Sequence, residues 1–415
     1  MKKRTLPARK NGGRRALLGR ALRFAALLGA GASLVALPAA ADAQTAQTVS
    51  PPPAPSPPTL ATGMTGPLVL NPTPLKSAVG PFGPIYATGI VSGLGLTQTR
   101  PVLGNNTGYA DVSNAQGIVQ KVDGLLQFYA QVGLYALPAL GTPYIRSNDA
   151  VGDFFGPLPE AYLKLAPTAK FSIEGGKLPT LFGAEYTFTF ENMNIARGLL
   201  WNQEPAISRG VQANYTAGPV ALSASVNDGF YSGRLDWLDG SAAWTINGSN
   251  TLTVIGGGNF SRSPVATPAT PIAQNNGSLF NLIYTYSAAP WTITPYFQFS
   301  HVPKDAGLGF LAPASTYGGA VLVTYAFTPR FSLAGRAEVI AATGYAGNGA
   351  PNLLYGPGSR AWSLTLTPTW QFNRFFVRGE GSLVKAADIV PGFAFGRNGN
   401  ATKQARFLVE AGVLF

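Results

Sequence analysis

Ten charged residues stand out by their spacing. Arg336 with Glu338, Arg378 with Glu380 and Arg406 with Glu410 are two or four positions apart, an even spacing that puts both members of a pair on one side of an extended chain. Glu185, Glu191, Arg197 and Glu204 crowd the single stretch 178–206. Opposite charges sharing a strand face can brace the wall as a salt-bridge ladder, or they can project a field into a hydrated space. Covalent catalysis needs other groups. A hydroxyl nucleophile needs a base within hydrogen-bond reach, usually histidine, and the chain holds one histidine, His301, next to Ser300. Adjacent strand residues point to opposite faces, so these two do not pair, and no enzyme is expected. The absence of cysteine excludes disulfides, thiol catalysis and cysteine-ligated zinc, and a single histidine argues against a metal site. No cofactor is implied.

The elements that must hold these charges are set by composition. Charged residues are 12% of 415 while hydrophobic types are 46%, about half the charge of a soluble globular domain. Beyond the N-terminus no run of 18 apolar residues occurs, which disfavours membrane helices. Abundant Gly, Pro, Tyr and Phe point instead to strands and turns. The net charge of +12 is deceptive, because residues 1–43 hold nine Lys/Arg and one acid, leaving 21 bases against 17 acids in the remainder. That leaves no basic block to follow a phosphate backbone, and no nucleic-acid partner is expected.

From residue 83 onward the hydrophobic period is two, in segments of about ten residues. In Gln404–Phe415 one face carries Phe407, Val409, Ala411, Val413 and Phe415, the other Arg406, Glu410 and Gly412. In Arg360–Trp370, Trp362, Leu364, Leu366 and Trp370 share a face. Eight residues at about 3.3 Å, tilted by roughly 40°, span about 20 Å, close to an outer-membrane apolar band between two aromatic girdles. Links alternate between short turns, such as Ala288-Ala289 and Thr328-Pro329, and long ones, such as Leu178–Ala206 and Ala342–Ser359. The expectation is an all-β, transmembrane antiparallel β-barrel over 84–415. Fifteen segments read directly as strands; parity requires an even count, and Asp111–Lys121 supplies the missing one, giving about 16 strands with 14 or 18 as neighbouring counts. Arg or Lys facing lipid near mid-membrane would cost about 2–4 kcal/mol each. Arg336, Glu338, Arg378, Glu380, Arg406 and Glu410 are therefore expected to line a hydrated lumen. Leu178–Ala206 then follows the fifth strand and is expected to fold inward as a constriction loop.

Residues 1–43 read as a secretory signal peptide, with a basic stretch to Arg23, an apolar run from Phe24 to Leu37 and Ala41-Asp42-Ala43 as cleavage site. Residues 44–83 follow as a proline-rich periplasmic linker, with eleven prolines in Pro51–Pro84.

The residues Glu174-Gly175-Gly176-Lys177-Leu178-Pro179-Thr180-Leu181-Phe182-Gly183-Ala184-Glu185, then Asn192 to Leu200 and Ser208-Arg209-Gly210-Val211-Gln212, resemble the putative β-barrel porin-2 (OmpL-like) family of Gram-negative outer membranes. The resemblance covers roughly Pro84 to Phe415. It implies a porin-like barrel in the bacterial outer membrane, with Phe415 as the terminal aromatic that the barrel assembly machinery reads. Outer-membrane lipid and small hydrophilic solutes are the expected partners, with a homo-oligomer open. The function expected is passive diffusion of small hydrophilic solutes through the barrel; the alternative is a non-conducting structural or interaction barrel.

Overall fold

The computed structural model describes residues 67–69, 71 and 73–415. The expected signal peptide and most of the expected linker lie outside the described residues. Among the described residues seventeen strands form: β1 (Leu75–Ala78), β2 (Pro84–Gln98), β3 (Gly108–Lys121), β4 (Leu126–Tyr135), β5 (Glu160–Leu165), β6 (Phe171–Pro179), β7 (Ile207–Ala217), β8 (Val220–Asn227), β9 (Trp237–Asn247), β10 (Asn250–Asn259), β11 (Ser278–Ala288), β12 (Trp291–Val302), β13 (Ala314–Thr328), β14 (Phe331–Ala342), β15 (Arg360–Phe372), β16 (Phe375–Ala387) and β17 (Lys403–Leu414). Each strand from β2 to β17 pairs antiparallel with its sequence neighbour, and β17 pairs back to β2. The result is a closed barrel of sixteen strands, which leaves no edge in the apolar region. Asp111–Lys121, placed by parity alone, lies within β3.

β15 shows why the sequence forms this wall. Trp362, Leu364, Leu366 and Trp370 are exposed on the outer face, while Ala361, Ser363, Thr365, Thr367 and Thr369 are buried on the inner one. Near one rim the outward aromatics touch in series: Trp291 with Tyr325 at 4.5 Å between ring centroids, Tyr325 with Phe327 at 4.7 Å, and Phe327 with Phe331 at 5.5 Å. This belt stands beside the tight turns after β11 and β13, where a bilayer interface favours rings with one wet edge. Closure is completed at the C-terminus. Phe415 and Gly89 exchange main-chain hydrogen bonds of 2.9 and 2.6 Å, and a Cβ on Gly89 would stand 2.6 Å from the Phe415 ring.

The end of the 44–83 segment departs from a tether with no core of its own. Leu75–Ala78 pairs with Pro84–Ala87 of β2. Upstream, Leu68 is buried in a cluster with Ile90, Ile118, Phe376 and Leu414. Val69 donates its N–H to Gln371 Oε1 at 2.8 Å and accepts from Gln371 Nε2 at 2.9 Å. A short apolar side chain inside the barrel mouth thus anchors a strand that prolongs the β2 ladder.

Candidate functional site

The segment between β6 and β7 folds into the barrel, and its burial runs almost unbroken from Thr187 to Leu200. The β13 to β17 wall positions it by bonding to its main chain. Glu338 accepts from the N–H groups of Leu199 at 3.0 Å and Leu200 at 3.3 Å, and from Ser363 Oγ at 2.5 Å. Glu380 accepts from the N–H of Ile195 at 2.5 Å and Ala196 at 3.2 Å, and from Thr367 Oγ1 at 3.0 Å. The arginines take the carbonyls. Arg336 donates to Ala196 O at 2.8 Å, and Arg378 to Asn192 O and Thr189 O at 2.9 Å each. A largely irregular loop, with 3-10 turns at Thr189–Glu191 and Trp201–Gln203, carries unpaired N–H and C=O groups into the interior, and each carboxylate or guanidinium that meets one forms a charge-assisted bond.

Loop and wall also form ion pairs. Glu185 on the loop binds Arg336 Nη1 at 2.5 Å and accepts from Gly198 N–H at 2.8 Å. Glu338 lies 3.3 Å from Arg336 Nε. Arg378 pairs with Glu410 of the next strand, its direct neighbour in the register. Glu410 in turn accepts from Thr189 Oγ1 of the loop at 2.7 Å. A bulge between β2 and β3 leaves Ser113 between the paired positions and buries both Ser113 and Asn114. Asn114 Nδ2 then reaches Thr189 at 2.7 Å. Arg406 engages Gln98 Oε1 at 2.9 Å and Ala139 O, on the β4–β5 link, at 2.7 Å.

The sequence pairs are therefore rearranged. Only Arg336 and Glu338 form a salt bridge within one strand; Arg378 turns to Glu410, Glu380 serves loop N–H groups, and Arg406 has no carboxylate partner within salt-bridge distance. Directly opposed residues on neighbouring strands approach more closely than two residues along one strand. All six side chains face inward but are 0–3% exposed, because the loop covers Arg336, Glu338, Arg378, Glu380 and Glu410 and the β4–β5 link covers Arg406. Of the loop acids, Glu185 is in contact with Arg336, with no gap between them. Sequence reasoning missed Asn114 and Thr367 as loop contacts, and Gln98 and Ser363 as partners of Arg406 and Glu338. The alternation that turned Ser363 and Thr367 inward was visible; the side chains they would meet were not.

The four loop charges have different surroundings. Burial raises the Glu185 carboxyl, an effect opposed by Arg336. Burial also lifts Glu191 and Glu204 well above the usual carboxylate range, with Glu160 adding to the effect at Glu191, and Glu185 and Glu338 at Glu204. Both Glu204 oxygens lack a hydrogen-bond partner among the described residues. Arg197 is fully buried, stacks over Trp201 at 5.0 Å, and is held by Pro138 O at 3.0 Å from its own N–H. Burial brings its guanidinium down to about 10, still charged at neutral pH. His301 Nδ1 pairs with Ser315 Oγ at 2.9 Å, not with Ser300. Among the described residues no group of three or more His, Cys, Asp and Glu is placed to hold a metal ion.

A closed barrel with a polar, charged inner face and a long loop folded inside defines a porin-like outer-membrane protein. The family model described as putative beta-barrel porin-2, OmpL-like, matches residues 84–415, and the chain belongs to that family. Among solved structures, the anion-selective porin from Comamonas acidovorans is similar with a TM-score of 0.56 at 12% identity, covering 80% of this chain and 99% of that one. The in-vitro folded OmpT of Vibrio cholerae, in its trimer form, gives 0.53 at 13% identity, with 80% and 99% covered. These likenesses are of fold. Compared with curated proteins by sequence, the chain has no match.

Proposed function

We propose that the chain is a passive channel of the bacterial outer membrane through which small hydrophilic solutes diffuse down their gradients, and that it has no enzymatic activity and needs no cofactor. The observation that carries this reading is the sixteen-strand barrel with polar side chains inside and the β6–β7 loop folded against one wall. In this reading Arg336, Glu338, Arg378, Glu380 and Glu410 act through the loop: they fix how much of the bore it fills, while Arg406 holds the β4–β5 link. Glu185, Glu191, Arg197 and Glu204 set how firmly it stays there. Secretory export, insertion by the barrel assembly machinery through Phe415, and assembly into a homo-oligomer belong to the same reading, the last supported by the trimer form of a similar fold.

Conductance of the purified, refolded chain in planar bilayers tests the proposal. Discrete, ohmic single-channel steps and liposome swelling with small sugars are expected. A heat-modifiable, folded barrel that inserts yet passes no current would establish the non-conducting alternative.

A further inference from the structure

The inner face is not filled evenly. Along β14 to β17, inward residues are sealed: Arg336, Thr365, Glu380 and Glu410 are at most 1% exposed. Along β5 to β9 the alternation is equally clear, with Leu163, Ile173, Val211, Leu222 and Leu238 exposed on the outer face. Yet the inward Lys164, Glu174, Asn214, Ser223 and Ser241 keep partial access to solvent. The Lys164 side chain is 33% exposed, with Nζ 3.8 Å from Glu174 Oε2. Gln212 Nε2 donates to Glu174 Oε1 at 3.0 Å and to Asn214 Oδ1 at 2.8 Å, and Ser223 Oγ donates to Asn214 at 2.7 Å. Two strands beyond this wall the loop meets the barrel, where Gly183 donates to Asn281 Oδ1 on β11 at 3.1 Å.

We propose that the hydrated passage runs along the β5–β9 wall, and that Lys164 and Glu174 are its charge-discriminating residues. Gln212, Asn214, Ser223 and Ser241 supply amide and hydroxyl groups that both donate and accept. Such a lining suits neutral, hydroxyl-bearing solutes, with one exposed ion pair giving weak discrimination of either sign. The proposal rests on the diffusion reading above and names the residues a solute meets, which are not the arginine and glutamate set beneath the loop.

The natural chain has no cysteine, so single cysteines report access directly. Barrels carrying Asn214→Cys, Ser223→Cys or Ser241→Cys should react with a membrane-impermeant maleimide at least tenfold faster than folded barrels carrying Ser363→Cys or Thr365→Cys. A charged methanethiosulfonate should reduce current only in the first group. Lys164→Gln should move the potassium-to-chloride permeability ratio toward the cation roughly tenfold, since one unpaired unit charge about 6 Å away in water raises the cation's Boltzmann weight about threefold and lowers the anion's as much; Glu174→Gln should move it the other way. Labelling in which the β15 cysteines react as fast as the β7–β9 ones overturns the path, and unchanged ratios in both charge variants overturn the role of the pair. If no variant conducts while the labelling contrast holds, the diffusion reading fails and with it the selectivity role, whereas the position of the hydrated wall stands.

Discussion

Replacing Glu338 by Gln should loosen the inner loop without unfolding the barrel. The carboxylate accepts two loop N–H groups and Ser363, and stands 3.3 Å from Arg336. Hydrogen bonds to a charged group contribute about 1.5–3 kcal/mol and neutral ones about 0.5–1.5. Removing the charge therefore weakens each loop bond by about 1 kcal/mol, and the amide group that replaces one oxygen faces a donor. A loss of about 2–3 kcal/mol from docking is expected, which enriches the undocked loop roughly 30- to 150-fold. Arg197 is the only Lys or Arg between Leu178 and Ala206, so trypsin has one target there, and it is buried while the loop is docked. When opening is fast, cleavage follows the open population. The Arg197–Gly198 bond should be cut at a correspondingly higher rate in the variant, with heat-modifiable migration retained. Glu174→Gln, which neutralises an inward carboxylate bonded to no part of the loop, is the control. If folded Glu338→Gln barrels are cut at Arg197 no faster than the natural chain, the wall carboxylates do not hold the loop.

Docking should weaken with rising pH: carboxyls raised by burial, such as Glu191 and Glu204, contribute stability that is complete below the ordinary carboxylate range and lost as pH rises through their raised values. Hydrogen exchange of residues 187–200, corrected for intrinsic rates, should show protection falling as pH rises, and Glu204→Gln should flatten that profile. Gly89→Val should lower barrel yield, because the new side chain meets the Phe415 ring, and Phe415→Asp should lower it as well; normal heat-modifiable levels in outer membranes would refute the closure argument. Leu364→Arg puts a charge on the lipid face, 49% exposed there, and should destabilise the barrel by about 2–4 kcal/mol in reversible urea unfolding in lipid. Leu68→Asp should release the Val69–Gln371 contact and raise the proteolysis of residues 67–74, with the barrel intact.

Much of the barrel was legible because a membrane wall leaves the sequence little freedom. Trp362 and Trp370 mark the outward face of β15, and Ser363 to Thr369 the inward one, since a one-residue slip would turn threonines to lipid and tryptophans to the lumen. Asp111–Lys121 gives a weaker pattern, and the even-strand rule recovered it. The strand at Leu75–Ala78 and the burial of Leu68 were not legible, because four strand residues and one leucine among prolines have no period of their own; they depend on the open end of the β2 ladder.

The candidate site was legible by half, and the missing half has a physical cause. Alternation states that Arg336, Glu338, Arg378, Glu380 and Glu410 point inward, but it does not state what occupies the interior. Water, an opposing charge or an unpaired main chain each satisfies an inward carboxylate. The deciding term is the inventory of N–H and C=O groups brought in by a loop that is irregular apart from two 3-10 turns. Ile195, Ala196, Leu199 and Leu200 carry apolar side chains into the interior, and their N–H groups have no intraloop partners; Glu380 and Glu338 supply the acceptors. Gly198 lies between these donors, where a Cβ would stand 2.0 Å from Glu338 Oε1. The glycine and the glutamate are one device written 140 residues apart, and neither reads as part of a site until the fold brings them together.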